Sequence, residues 1–286
     1  HRTSRRQRQM CIRDRSEVDE LTWKLGLSYK LSDDIMIYSS AAKGFHSGGY
    51  YGKNQKLSDF TNTYEPEYNT RLELGVKAEL MDGRIRINAA VFESRLKGKQ
   101  ESAVVTDPRT NSVVTIMTNV GEVTYKGFEA EVQALITESW DVGLTLGLLD
   151  AKYDKFFVDI NGVNADDELE PTDNTYLKPK MAADGNYSLR TSYGFDVAGG
   201  EATASASYAW SDELFTRIQN NPVSLVPAMG KINASLGYKR NGFGISIYGN
   251  NLTDKQYANV WVVGPLVTFG QWSQGRSYGV TVDMEF

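Results

Sequence analysis

Along most of this chain apolar and polar residues alternate one by one, the period of a strand with one face in water and one away from it. Trp23, Leu25, Leu27 and Tyr29 alternate with Lys24, Gly26, Ser28 and Lys30. Leu72, Leu74, Val76, Ala78 and Leu80 alternate with Arg71, Glu73, Gly75, Lys77 and Glu79. Asp82-Gly83 then suits the positive φ angles of a tight hairpin turn into a partner strand over 84–91. The same reading predicts strands over 35–45, 128–136, 142–148, 181–190, 202–210, 232–238, 243–247 and 278–286, which makes eleven. In the last, Tyr278, Val280, Val282, Met284 and Phe286 share one face. No helical period longer than a turn or two stands out.

The connections alternate in length as the strands alternate in polarity. Short turns are predicted near Ser32, Asp82, Glu138, Gly194 and Asn241. Longer connections cover 46–65, 154–177, 212–229 and 255–274, with a brief link near Asp107-Pro108-Arg109 as the exception. Short turns at one end and long loops at the other are the asymmetry of an outer-membrane barrel. Trp140, Tyr193, Phe195 and Phe243 fall near the short turns, where an interfacial aromatic girdle lies. No window reaches the roughly 20 consecutive apolar residues of a membrane helix. A mean hydropathy of −0.42 does not exclude a barrel, since only one face of each strand is apolar. The expected fold is therefore all-β: an antiparallel up-and-down transmembrane β-barrel wall of about eleven strands. A soluble sandwich or solenoid is the competing fold, and strands this long and numerous count against it.

That reading fixes faces. Leu72, Leu74, Val76, Ile85, Ile87, Leu144, Leu146, Ile232, Leu236, Ile245, Val280 and Val282 should share the convex face. Arg71, Glu73, Lys77, Glu79, Arg84, Arg86, Glu129 and Glu131 should face the lumen.

Composition changes the picture at the amino-terminus. Residues 1–15 hold six of the 31 Lys and Arg, one of the 36 Asp and Glu, and Cys11, the single cysteine. The run from Arg5 to Asp14 is what a transposon adapter of sequencing libraries encodes when translated, so 1–15 are expected to be non-native and to make no ordered contact with the sheet. The rest, 16–286, carries 25 basic against 35 acidic residues, a net charge of −10, with His46 as its one histidine. Without the basic arm nothing points to nucleic acid.

Four segments resemble those of TonB-dependent outer-membrane receptors. Lys43-Gly44-Phe45-His46-Ser47-Gly48-Gly49-Tyr50 is similar to their "KGF-x-SGG" segment, and Glu65-Pro66-Glu67 with Glu73-Leu74-Gly75-Val76-Lys77 to their "PE…ELGVK" strand opening. Gly127-Phe128-Glu129 resembles their "G-[VF]-E" strand and Asn250-Asn251-Leu252-Thr253-Asp254-Lys255-Gln256-Tyr257 their "NLTDKxY". The ordered set, ending on an aromatic residue, is more specific than any member. The resemblance implies a 22-stranded barrel around an amino-terminal plug, energised through TonB, taking up scarce nutrients and most often ferric siderophores. Residues 16–286 would be the carboxy-terminal half, with the plug and first half missing, and not transport-competent alone. Partners implied are outer-membrane lipid, the missing plug and barrel half, the TonB complex, the barrel assembly machinery through Phe286, and a ferric siderophore or similar ligand. An odd strand count fits a truncated wall; a passive pore or small stand-alone barrel is the alternative.

Candidate ligand-binding residues are aromatic or histidine side chains of the first and last long loops: His46, Tyr50, Tyr51, Trp261, Phe269 and Trp272. A lone histidine without a partner cluster does not make a metal site. Asp166-Asp167-Glu168 with Glu170 and Asp173 form an acidic run without a calcium-loop spacing. No catalytic set is present: there is no H-E-x-x-H, no P-loop and no G-x-S-x-G, and neither an enzyme nor a cofactor is expected.

Overall fold

A computed structural model describes residues 19–50, 63–107, 112–158, 172–263 and 268–285. Nineteen strands succeed one another: β1 (Trp23–Lys30), β2 (Ile35–His46), β3 (Gly49–Tyr50), β4 (Thr63–Tyr64), β5 (Glu67–Leu80), β6 (Ile85–Lys97), β7 (Gln100–Asp107), β8 (Ser112–Asn119), β9 (Gly121–Thr137) and β10 (Trp140–Phe156). After a long connection come β11 (Gly185–Val197), β12 (Gly200–Ser211), β13 (Leu214–Phe215), β14 (Leu225–Val226), β15 (Met229–Arg240), β16 (Phe243–Asn250), β17 (Ala258–Val263), β18 (Thr268–Trp272) and β19 (Ser277–Met284). Eleven of them form one antiparallel sheet in chain order, β1-β2-β5-β6-β9-β10-β11-β12-β15-β16-β19. These are the eleven strands the alternation predicts. The other eight pair locally as β3-β4, β7-β8, β13-β14 and β17-β18. No helix among the described residues is long and apolar enough to cross a membrane.

The register carries one apolar face across the whole sheet. Leu74 opposes Val91, Ile87 opposes Ala78 and Val132, and Val132 opposes Leu144. Leu144 opposes Leu189, then Tyr208, then Ile232. Leu236 opposes Ile247, which opposes Val280, while Ile245 opposes Val282. All twelve residues assigned to one face share it, since partners in a ladder point the same way and strands alternate. Leu72 and Leu74 are 54% and 55% exposed, whereas Arg71 and Glu73 between them are half-buried. That is inverted for a water-soluble core and natural for a wall against lipid. On β10 the apolar row runs from Trp140 to Leu148 and gives way to Asp150, Lys152 and Asp154. Eight residue steps of about 3.4 Å give about 27 Å of strand, or about 20 Å of height at a tilt of about 40°, comparable to an outer-membrane apolar band. Above it lies a rim of ion pairs on the same face, including Lys152–Asp150 and Lys155–Glu122 at 2.8 Å and Lys126–Glu93 at 3.5 Å.

The opposite face is polar and paired internally. Arg71 contacts Glu73 at 2.9 Å and sits 4.0 Å above the Phe92 ring, and Arg86 contacts Glu79 at 2.9 Å. Gly127 leaves room for Phe92, whose ring would lie 2.4 Å from a Cβ placed there.

Five short turns close one end, over 31–34, 81–84, 138–139, 198–199 and 241–242, and five long excursions leave the other. Asp82 and Gly83 adopt φ of 55° and 81°, and Asn241-Gly242 does likewise at 48° and 75°, the left-handed pair a tight hairpin needs. Three expectations need correction. The seventh wall strand begins at Gly185, because Met181 lies at φ 58° and precedes the ladder. Its short turn is Ala198-Gly199, not Gly194, because Tyr193 and Phe195 continue the outward row past the glycine. The link near Asp107 is no brief exception: residues 98–120 leave the wall and build the β7-β8 hairpin, which makes the alternation of short and long complete. Residues 1–15 and Phe286 lie outside the described residues.

The sheet is open. Among the described residues β1 pairs only with β2 and β19 only with β16, as expected for half of a larger circumference rather than a closed eleven-stranded cylinder.

Candidate functional site at the long-loop end

The long excursions are stitched to one another at their bases, and residues of three of the four resembling segments take part, Gly127-Phe128-Glu129 lying instead within β9. Gln100 Nε2 donates to the carbonyls of His46, Ser47 and Glu65 at 3.3, 3.1 and 3.0 Å, while its backbone N–H donates to Glu67 Oε2 at 2.7 Å. Asn119 accepts from Glu65 N at 2.8 Å and donates to Glu65 O at 2.8 Å and Gly98 O at 2.7 Å. Gly48 is required there, since a Cβ would lie 2.2 Å from Tyr64 O. At the far edge buried Asn251, at φ 51°, donates to the carbonyls of Lys255 and Gln274 at 2.8 and 3.2 Å. Its own N–H donates to Asn233 Oδ1 at 2.9 Å, and Asp254 accepts from Arg276 N at 2.9 Å. The segment 250–257 thus ties the exit of β16 to the start of β19.

Between these edges lies a small buried cluster. Val120, Val123, Tyr153, Phe156 and Ile218 pack together, with Leu96, Tyr125, Val158 and Leu177 around them. Val123, Tyr125 and Tyr153 lie on the polar-face parity, opposite the lipid-facing row. Ile218, only 2% exposed, comes from the excursion after β12, so that loop folds inward across the preceding one. Lys178 N donates to Asn220 Oδ1 at 2.6 Å and Asn220 Nδ2 to Lys178 O at 3.0 Å, fixing the crossing. Beside the cluster Glu101 is 1% exposed and faces Lys99 at 3.3 Å and Lys180. Burial works against the Lys99 ammonium, but Glu101, Tyr125 and Glu67 outweigh it and hold its pKa above the ordinary lysine value.

The predicted ligand residues are divided by this arrangement. His46 ends β2 opposite Glu67, is exposed, and has no metal-ligating cluster around it among the described residues. Tyr50 pairs with Thr63 in the first excursion; Tyr51 lies outside the described residues. Trp261 and Phe269 oppose Gly270 and Val262 in the β17-β18 hairpin, and Trp272 is 59% exposed. Six strands of the sheet separate β5 from β16, so the two aromatic groups sit near opposite edges. Of the acidic run only Asp173 is described; Thr175 donates to it through N–H and hydroxyl at 2.9 and 2.7 Å, and these bonds hold its carboxyl below the usual range. Buried Gln100, Glu101 and Ile218, with half-buried Lys99, Asn119 and Lys180, form the centre of this end, and none of them stands out in the sequence.

The family model described as "TonB dependent receptor-like, beta-barrel" matches residues 3–252. The chain belongs to this family. Members of the TonB-dependent receptor family are outer-membrane proteins of Gram-negative bacteria, which is where an apolar outer face of this height belongs. A probable TonB-dependent siderophore receptor, PiuA of Acinetobacter baumannii, is 26% identical over 280 residues, covering 95% of this chain and 35% of that protein. The ferripyoverdine receptor of Pseudomonas aeruginosa is 25% identical over 247 residues, 82% of this chain and 27% of its own length. The crystal structure of the ferric yersiniabactin uptake receptor FyuA from Yersinia pestis superposes with a TM-score of 0.74 at 17% identity, over 92% of this chain and 37% of that one. The chain therefore spans about a third of the length of these TonB-dependent receptors.

Proposed function

We propose that this chain is the carboxy-terminal half of the barrel of a TonB-energised outer-membrane receptor that takes up ferric siderophores. The observation that carries the reading is an unbroken lipid-type face bounded by two unpaired edges. Unpaired strand edges are intolerable in lipid, so the wall calls for further strands, β19 pairing with the first strand of the complete barrel. Siderophore uptake is supported by the relatives' names and by the stitched loops, which present a shaped surface at the end where ligands arrive. A plug filling the lumen, contact with TonB and assembly through the carboxy-terminal strand complete the proposal, and residues 16–286 alone do not transport. Residues 1–15 are adapter-derived in this reading.

The complete gene, expressed in a host lacking its own ferric-chelate receptors, should give accumulation of iron-55 supplied as a hydroxamate, catecholate or pyoverdine chelate. Deleting TonB should abolish that accumulation, and residues 16–286 expressed alone should give none. Accumulation of small polar solutes that persists without TonB would instead support a passive pore.

A further inference from the structure

The β7-β8 hairpin pairs with no wall strand. It leaves the wall at Gly98, φ 64°, and rejoins at Gly121, φ 128°. A Cβ at Gly121 would lie 2.1 Å from Lys155 O, so the junction accepts only glycine. Two backbone bonds close its base, Lys99 N to Gly121 O at 2.9 Å and Val120 N to Lys99 O at 2.8 Å. Two glycine joints and a ladder that is only its own describe a rigid arm on a hinge.

Glu101 stands just beyond that hinge. Its carboxylate is buried, with Oε1 facing the Lys99 ammonium at 3.3 Å and Oε2 facing that of Lys180. Its compensation comes from two ammonium groups, Lys99 on the arm itself and Lys180 on the segment leading into β11. The Tyr153 hydroxyl beside them is buried without a hydrogen-bond partner among the described residues. A buried carboxylate compensated this narrowly is strongly destabilised when one partner is removed. The arm cannot swing without drawing Glu101 away from Lys180.

We propose that Glu101 is a positioning residue, an ionic latch that sets the place of the β7-β8 arm by holding Lys180, and that ligand capture by the receptor depends on that placement. The second part rests on the receptor reading above; the first does not. Gln100 and Asn119 hold the base of the arm to the first excursion, and the latch adds the tie to the segment leading into β11, so releasing it should loosen the arm while the backbone ladder of β9 and β10 stays paired.

The test is hydrogen exchange by mass spectrometry on the complete receptor, comparing wild type with Glu101→Gln, Lys180→Met and Lys180→Arg. The first two should exchange about tenfold faster over 100–107 and 112–119, the factor expected for losing one charged contact, with Gly121–Thr137 unchanged. Lys180→Arg, which keeps the charge, should restore protection, and Lys180→Met decides the matter should Glu101→Gln fail to fold. In uptake of the iron-55 chelates, Glu101→Gln should raise the half-saturating concentration more than it lowers the maximal rate. Unchanged exchange in the arm, or acceleration spreading through β9, overturns the latch. Faster exchange with an unaltered half-saturating concentration overturns the role in capture. Absence of uptake by wild type overturns the receptor reading, and the exchange result still decides the latch.

Discussion

Replacing Ile87 by arginine is expected to destabilise the folded barrel by about 2–4 kcal/mol, the cost of a cation on the lipid face near the bilayer midplane. Ile87 lies between Ala78 and Val132 in the apolar row of β6, two residues from either Ile85 or Ala89. The adjacent Asn88→Arg should cost about 0.5 kcal/mol or less, because Asn88 points the other way, between Lys77 and Glu131. The two substitutions insert the same side chain one residue apart, so propensity and size cancel and only the face differs. Urea unfolding of the complete receptor in phospholipid vesicles reads the contrast. Equal costs at the two positions would mean that neither face meets lipid.

Phe156→Ala is expected to cost about 3–5 kcal/mol in the local stability of the loop cluster, the range for emptying a buried aromatic site. Phe156 is fully buried, its ring centroid 4.5 Å from that of Tyr153, with Val123 and Ile218 against it. Ile218 is the side chain its excursion contributes to this cluster, so the effect should appear as faster hydrogen exchange over 216–220. The part of the β9–β10 ladder over 128–137 and 140–148 should keep its protection, since Val123, Tyr153 and Phe156 sit at the long-loop end of those strands. Loss of protection across the wall would show that the cluster supports the barrel rather than the loops.

The wall was legible because its physics is written locally. A strand between lipid and water must alternate, so Leu72 to Leu80 and their charged neighbours declare both element and face without any knowledge of partners. The seventh strand was displaced because Gly194 mimics a turn signal, while the real turn uses Ala198 at φ 52°, a residue that sequence gives no reason to expect there. The loop end was illegible for a different reason. Glu101 stands in Lys97-Gly98-Lys99-Gln100-Glu101, which reads as a solvated charge run, and its burial depends on Lys180 far along the chain. Ile218 likewise looks like a stray apolar residue in a polar loop until the loop crosses inward. The resembling segments were recognisable by their spelling, but their bonds to Gln100, Asn119 and Asn233 belong to the folded chain.

The most direct test of the account is a nitroxide scan of residues 85–92 of β6, one label at a time, in the complete receptor reconstituted in phospholipid. Collision with dissolved oxygen should be high at 85, 87, 89 and 91 and low at 86, 88, 90 and 92, a period of two that separates the otherwise identical Ala89 and Ala90. A uniform profile, or one with the high values at 86, 88, 90 and 92, would contradict a membrane wall with this register.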